Sequence, residues 1–434
     1  MSPETTGVVG IAVMLVLFFL KMPVAFAMTL VGVVGFAYLA GAESALALLA
    51  QDIYETFRSY PLSVIPMFIL MGEFAFASGI SQRLFRTTHA WVGHWRGGLT
   101  TATVLACSGF AAICGSTAAT AATMGRIALP EMRKYKYDNT LATGCVASAG
   151  TLGILIPPST VLIVYGILVE ESIGKLFVAG ILPGILLSLA FVATVALLCF
   201  RKPELGPPGP VTTWKEKIRA AGGIVEAAIL FFLAIGGLFL GWFSPTQAGA
   251  IGAGGALIIG LARRKMTWKT FFEAGKVGLQ TGCMVLFIIT GATVFGHFMA
   301  MSTIPFILAD WVGNLPVHHM VVIGIIIFIY FIGGFFMDSM ALIVVTIPIF
   351  FPIVERLGFD PIWFGVMMVL VAEMGVITPP VGVNVFVIKG IAPDVPLFVI
   401  FRGILPFLAA LIIVALIILF VPQIATFLPS LVQY

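Results

Sequence analysis

Two double prolines lie deep inside apolar stretches, each in matching company. Gly153-Ile154-Leu155-Ile156-Pro157-Pro158 stands in one stretch and Gly375-Val376-Ile377-Thr378-Pro379-Pro380 in the other. Successive prolines remove two backbone donors and push the preceding residue out of helical geometry. A helix that starts near Asn139 must therefore stop around Gly150–Gly153 and restart beyond Pro157, since proline is tolerated in a first turn. Carbonyls near Gly153 and Ile156 are left without intrahelical partners. In lipid, such a break survives only where protein covers it or where it lines a cavity.

Lipid is the expected surrounding. The chain has 434 residues, of which 60% are hydrophobic and 10% charged, with a mean hydropathy of +1.13. A water-soluble chain of this length needs far more charge to cover its surface. Candidate spans fall at 4–21, 24–41, 61–80, 139–170, 173–200, 224–242, 244–262, 277–301, 362–391 and 396–421. Two further apolar stretches, 98–129 and 319–354, are interrupted by small or polar residues and read as re-entrant hairpins. Helical hairpins that cross the bilayer twice satisfy the same parity.

Loop charge tests this count. With the 201–219 loop in the cytoplasm and each hairpin returning to its starting side, only Arg58, Lys175 and Arg356 of the 23 basic residues fall outside. That bias orients the chain with its N-terminus in the periplasm. It also explains the net charge of +4 without nucleic acid. No basic residue precedes Lys21, so the first apolar segment is expected to be a retained span, not a signal peptide. The five cysteines show no CxxC spacing and read as packing residues.

The chain repeats itself at a shift of roughly 220 residues. Pro23 pairs with Pro245, Trp91-Val92-Gly93 with Trp311-Val312-Gly313, the two double prolines with each other, and Gly180-Ile181-Leu182-Pro183 with Gly403-Ile404-Leu405-Pro406. The expected organisation is a first repeat over 1–200 (hairpin about 98–129, broken helix 139–170), a cytoplasmic linker over 201–223, and a second repeat over 224–434 (hairpin about 319–354, broken helix 362–391). Five spans and one hairpin per repeat make the halves enter from opposite sides. The expected fold is an all-α polytopic membrane protein of two inverted repeats, with broken helices at the midplane, the architecture of secondary transporters.

The breaks and the hairpin interruptions carry the candidate chemistry. A half-helix C-terminus is partly negative, and free carbonyls with hydroxyls suit a hard cation such as Na⁺. A restarted helix points its positive N-terminus at the same region, where an anion would sit. Two Na⁺ sites are expected, one from Ser116, Gly153, Ile156 and Pro158, the other from Gly334, Gly375 and Thr378. Substrate contacts are expected from Ser116, Thr117, Ser159, Thr160, Asp338, Ser339 and Asn384. The plainer alternative is a pair of proline kinks that only shape packing. Asp338 is the only acid in 319–354, costly there unless it meets an ion, a helix end, a substrate group or a distant Arg or Lys. Glu73 and Glu373 lie in spans, as gating or proton-carrying groups or as interhelical hydrogen-bond partners. His297 is expected to make a polar packing contact near Thr293, and the other histidines flank spans beside tryptophans. The stretches 83–96 and 303–316 read as amphipathic arms or as an interface belt. No Walker glycine loop is present, so ATP is not expected to drive the chain directly. No nucleophile–base or metal motif points to an enzyme.

With those residues in view, nearly the whole chain resembles the large membrane subunit of the tripartite ATP-independent periplasmic transporters, the DctM-like family. The resemblance rests on Trp91-Val92-Gly93-His94-Trp95-Arg96-Gly97-Gly98, the Gly115-Ser116-Thr117 tip, Leu152 through Ser159, and Thr378-Pro379-Pro380. It implies an elevator-type carrier in the bacterial inner membrane, driven by a Na⁺ gradient. It also implies a small four-helix membrane subunit and a periplasmic substrate-binding protein, neither expected within this chain. Substrates in the family are mostly organic anions: C4-dicarboxylates, sialic acid and other sugar acids, and 2-oxo acids. A stand-alone anion symporter of related hairpin architecture is the alternative.

Overall fold

The computed structural model describes residues 1–431 and is helical throughout, with no strand among the described residues. Helix is what lipid demands, because every backbone donor and acceptor must be satisfied within the segment. Each long apolar stretch of the sequence becomes one helix or an interrupted one.

The helices sort into two packed groups, each drawing on both ends of the chain. In the first group, Val24–Ala40 and Pro61–Ala77 pack against Pro245–Ala262 and the 35-residue helix Trp268–Ser302. Small residues let these helices approach closely. A methyl on Gly32 or Gly35, or on Gly7 or Gly10 of the neighbouring first helix Pro3–Phe19, would come within 3.0 Å of Phe295, Phe298, Val294, Ser302 or Ile304. The second group contains both hairpins and both broken helices, closed by Ile173–Arg201 and Leu397–Phe420.

Each candidate hairpin is a pair of helices meeting at a polar turn. Gly98–Cys114 and Thr117–Lys134 join at Gly115-Ser116, where Gly115 ends the first helix with φ +65°. His319–Gly333 and Ser339–Arg356 join through residues 334–338. The second helix of the first hairpin runs past residue 129 to Lys134, five residues beyond the apolar stretch. The first broken helix comprises Asn139–Ala149, a single turn Leu152–Leu155, and Thr160–Leu168. The second comprises Pro361–Ile377 and Val383–Ile391.

Ala42–Arg58 was absent from the hydropathy reading, as were the short helices Trp214–Ala220 and Gln423–Leu431. Ala42–Arg58 is amphipathic and joins Pro61–Ala77 at a bend of 59°. Its buried Asp52 faces His297 at 3.5 Å, so His297 has an acid partner rather than the nearby threonine. The arm stretches form helices Ile80–Val92 and Ile304–Gly313. Arg83 on the first of these donates to Glu226 (2.6 Å), which also accepts from Arg263 (2.7 Å from Nε). Glu226, in the first half of helix Gly222–Phe231, is thus neutralised between two guanidinium groups.

The linker is strapped to the first half. Gly97 N donates to Gly206 O (2.8 Å), Gly209 N to Gly93 O (3.0 Å) and Asp138 N to Leu205 O (3.0 Å). Thr212 Oγ1 donates to Ala90 O, and Thr87 Oγ1 to Ala220 O. A short helix, Trp214–Ala220, closes the segment with a Thr213–Glu216 capping box.

Candidate functional site

Both hairpin tips meet both helix breaks. A cavity of about 140 Å³ is lined by Ser116, Thr117, Thr160, Asp338, Ser339 and Asn384, together with Glu373 and apolar neighbours. Six of the seven candidate substrate residues therefore share one wall. Ser159 does not: it is fully buried and its Oγ accepts from Leu162 N (3.1 Å), which makes it the N-cap of the restarted helix. Its polarity serves that helix end rather than the cavity.

The backbone approaches require glycine. A Cβ on Gly153 would lie 2.5 Å from Ser116 O, and one on Gly375 would lie 2.4 Å from Gly334 Cα. Each tip thus rests directly on the break of its own half. Pro157 and Pro158 have no N–H to return to the carbonyls of Gly153 and Ile154, and Pro379 and Pro380 deny the same bonds to Gly375 and Val376. In the second half the shortfall is partly met, since Thr378 N donates to Gly375 O (3.0 Å) and Thr378 Oγ1 to Met374 O (2.5 Å). In the first, the Gly115 carbonyl accepts from Thr160 Oγ1 (2.9 Å), and Pro158 O lies 2.7 Å from where a Gly115 Cβ would be.

The candidate cation ligands therefore fall into two neighbourhoods: Ser116, Gly153 and Pro158 around the first tip, Gly334, Gly375 and Thr378 around the second. Thr120 Oγ1, 2.8 Å from where a Gly153 Cβ would be, is buried and has no hydrogen-bond partner among the described residues. Such an orphaned hydroxyl beside free carbonyls is the donor set a hard cation takes. Sequence reasoning passed over Thr120, although its position one helical turn beyond Ser116 put it on the same face.

Asp338 has a local structural duty. Its Oδ1 accepts from Met340 N (3.0 Å) and Ala341 N (3.2 Å), capping the helix Ser339–Arg356, and it stays open to the cavity. No distant Arg or Lys pairs with it among the described residues. Ser116 occupies the matching position, with Oγ accepting from Ala119 N (3.4 Å). Asn384 Nδ2 donates to Ala147 O (3.0 Å), tying the two broken helices together and leaving its Oδ1 buried without a partner among the described residues.

Glu373, only a weak candidate from sequence, stands at the centre. Thr117 Oγ1 donates to Oε2 (2.9 Å) and Ser339 Oγ donates to Oε1 (2.7 Å), one hydroxyl from each tip. It is an interhelical hydrogen-bond partner, as one reading of the sequence had it, but to both hairpins at once. Nothing in the local sequence shows contacts 256 and 34 residues away.

The electrostatics follow from position. Thr117, Thr160, Ser339 and Val383 are each the first residue of a helix, so four partly positive N-termini converge on the cavity. Two acidic side chains, Asp338 and Glu373, face them, and no Lys, Arg or His lines the cavity among the described residues. The site widens into a larger cavity of about 930 Å³ that shares Ser116, Ala118, Thr160, Asp338 and Met340 and extends past Glu73, Gln280 and Met22. On the orientation given by loop charge, those residues lead to the cytoplasmic side. A separate cavity of about 890 Å³, lined by Arg58, Glu170, His297 and Phe351, lies toward the opposite face and touches neither tip.

A family model described as the Tripartite ATP-independent periplasmic transporter, DctM component, matches residues 11–424. The C4-dicarboxylate TRAP transporter large permease protein DctM of Pseudomonas aeruginosa is 38% identical over 387 residues, covering 88% of this chain and 89% of that protein. The sialic acid TRAP transporter large permease protein SiaM of Vibrio cholerae is 31% identical and covers 96% of each chain. Among solved structures, the Alcanivorax borkumensis YdaH transporter aligns with a TM-score of 0.63 at 16% identity over 90% of each chain, a likeness of fold alone.

Proposed function

The chain belongs to the DctM-component family of tripartite ATP-independent periplasmic transporters, and from that premise we propose that it imports a small organic anion together with Na⁺. As a member it is a multi-pass inner-membrane transport subunit and not an enzyme. Relatives named for C4-dicarboxylates and sialic acid support a carboxylate as the substrate class. Its working partners, on this reading, are a small four-helix membrane subunit and a periplasmic binding protein that delivers the anion.

The observation that carries the proposal is the sign of the cavity. Four helix N-termini and several hydroxyls suit an anion, yet two acidic side chains, Asp338 and Glu373, face the same space without a basic residue to balance them among the described residues. An anion entering alone meets the repulsion of each of these groups that is ionised, in a medium that screens poorly. Cations held at the two breaks reverse that sign, which supports obligatory co-binding. Two Na⁺ sites, at Ser116–Gly153–Ile156–Pro158 with Thr120 and at Gly334–Gly375–Thr378, meet the requirement with oxygen ligands alone. The helices sorted into two groups, with the site on one of them and large cavities toward either face, support movement of that group past the other, an elevator.

The test is uptake into proteoliposomes containing this chain, its small subunit and the binding protein. Uptake of a labelled dicarboxylate or sugar acid is expected to follow an imposed inward Na⁺ gradient and to ignore ATP. Equal uptake in choline buffer with only a pH gradient overturns Na⁺ coupling. Robust uptake by this chain alone overturns the three-part assembly.

A further inference from the structure

The two half-sites share one carboxylate. At the offset that pairs Gly153 with Gly375, Glu373 corresponds to Thr151, whose Oγ1 is turned back to Ser148 O (2.6 Å) and reaches neither tip. Glu373 lies two residues from Gly375 in the second half-site, and its other oxygen accepts from Thr117, next to Ser116 in the first. No arginine, lysine or histidine pairs with it among the described residues. We propose that Glu373 is a positioning residue that ties the two hairpin tips together, so that filling the cation site of one half readies the other.

The physical basis is charge and direction. A cation at Gly375 and Thr378 draws on the field of the adjacent carboxylate and fixes its rotamer. That rotamer decides whether Thr117 Oγ1 keeps its proton on Glu373 and turns its lone pairs toward the cavity. A hydroxyl that donates to a carboxylate is the better acceptor for a cation or a polar ligand, because hydrogen bonds in a chain polarise one another. The reverse path runs through Ser339 in the same way, and linkage makes the coupling reciprocal. This inference rests on the Na⁺ reading above.

The test is Na⁺ activation of uptake by the complete three-part transporter. The intact protein is expected to respond sigmoidally to Na⁺. Glu373→Gln keeps the shape but removes the charge, and is expected to give a hyperbolic response with half-saturation raised about 5-fold or more, the low end of ordinary site-to-site coupling. Thr117→Val and Ser339→Ala each remove one arm of the tie and are expected to lower the steepness in the same direction. Adding either to Glu373→Gln brings little further change, because neighbours in one network are not additive. A Glu373→Gln protein that retains the sigmoid response and the half-saturation point overturns the proposal. If that variant does not fold, unchanged steepness in both single hydroxyl variants overturns it. Indifference of the intact transporter to Na⁺ removes the coupling reading itself, and this inference with it, a result distinguishable from a variant-specific failure.

Discussion

The first and second half-sites place the same backbone around different charge. Ser116 and Asp338 both cap the second helix of their hairpin, Gly153 and Gly375 both lie against a tip, and Thr117 and Ser339 both donate to Glu373. The acids, however, are all in the second half: Asp338 stands where the first half has Ser116, and Glu373 where it has Thr151. Geometry has been kept twice and charge once. The frame is therefore what a pair of cation sites needs in common, and the carboxylates are what a single substrate cavity needs only once.

The comparison breaks most severely at the glycines. Gly153→Ala and Gly375→Ala each set a methyl about 2.5 Å from backbone that has nowhere to retreat. Overpacking of that kind costs roughly 1–3 kcal/mol, and the tips must lift to relieve it. Both variants are expected to lose uptake almost entirely, with a lowered melting temperature in detergent. If one is tolerated and the other is not, the two half-sites do not share the same frame.

Charge is the next level. Asp338→Asn keeps a residue well suited to an N-cap, so the protein is expected to stay folded. Uptake is expected to fall about 10-fold or more, the scale of losing one charge-assisted contact of about 1.5–3 kcal/mol. Asp338→Glu is not expected to restore it, since the longer side chain moves the carboxyl group away from Met340 N and Ala341 N, which Asp338 Oδ1 caps. Ser116→Ala removes the matching cap, at a cost of about 1 kcal/mol, and takes a hydroxyl from the proposed first Na⁺ site, so both stability and uptake are expected to fall. Normal uptake with unchanged Na⁺ dependence in Asp338→Asn makes that residue a cap and nothing more.

The smallest effect is expected outside the cavity. Arg133 donates to both carboxylate oxygens of Asp394 (2.7 and 2.9 Å), joining the first hairpin to the loop after the second broken helix. That hydrogen bond holds the Asp394 carboxyl below its usual 3.8. A depressed carboxylate adds stability above its unfolded value, lost only as the pH falls through the lowered one. The pair is exposed, so screening leaves little of that stability. Asp394→Asn is expected to leave the melting temperature unchanged from about pH 5 to 8. A marked loss there means that this contact between the halves does more than its exposure allows.

What was legible in the sequence was what local chemistry enforces. Pro157-Pro158 and Pro379-Pro380 cannot continue a helix, and Gly115-Ser116 and Asp338-Ser339 are turn and cap residues wherever they occur. The helix breaks and the tips followed from that. Other features did not, Thr120 among them. Ala42–Arg58 was hidden from hydropathy by its polar face, although a 3.6-residue period would have shown it. Ser159 looked like a site hydroxyl because capping and ligand binding use the same chemistry. Glu373 joins residues far apart in the chain, and no local pattern reports which distant hydroxyls a buried carboxylate will meet.

The linker strap has a consequence for how the protein is made. Residues 205–212 hydrogen-bond to Ala90, Gly93, Gly97 and Asp138, all of them earlier in the chain. Synthesis runs from the N-terminus and domains fold in that order. The linker-facing rim of the first half can thus be finished while the second half is still on the ribosome, and the seam is sewn by the thread that leads to the next piece.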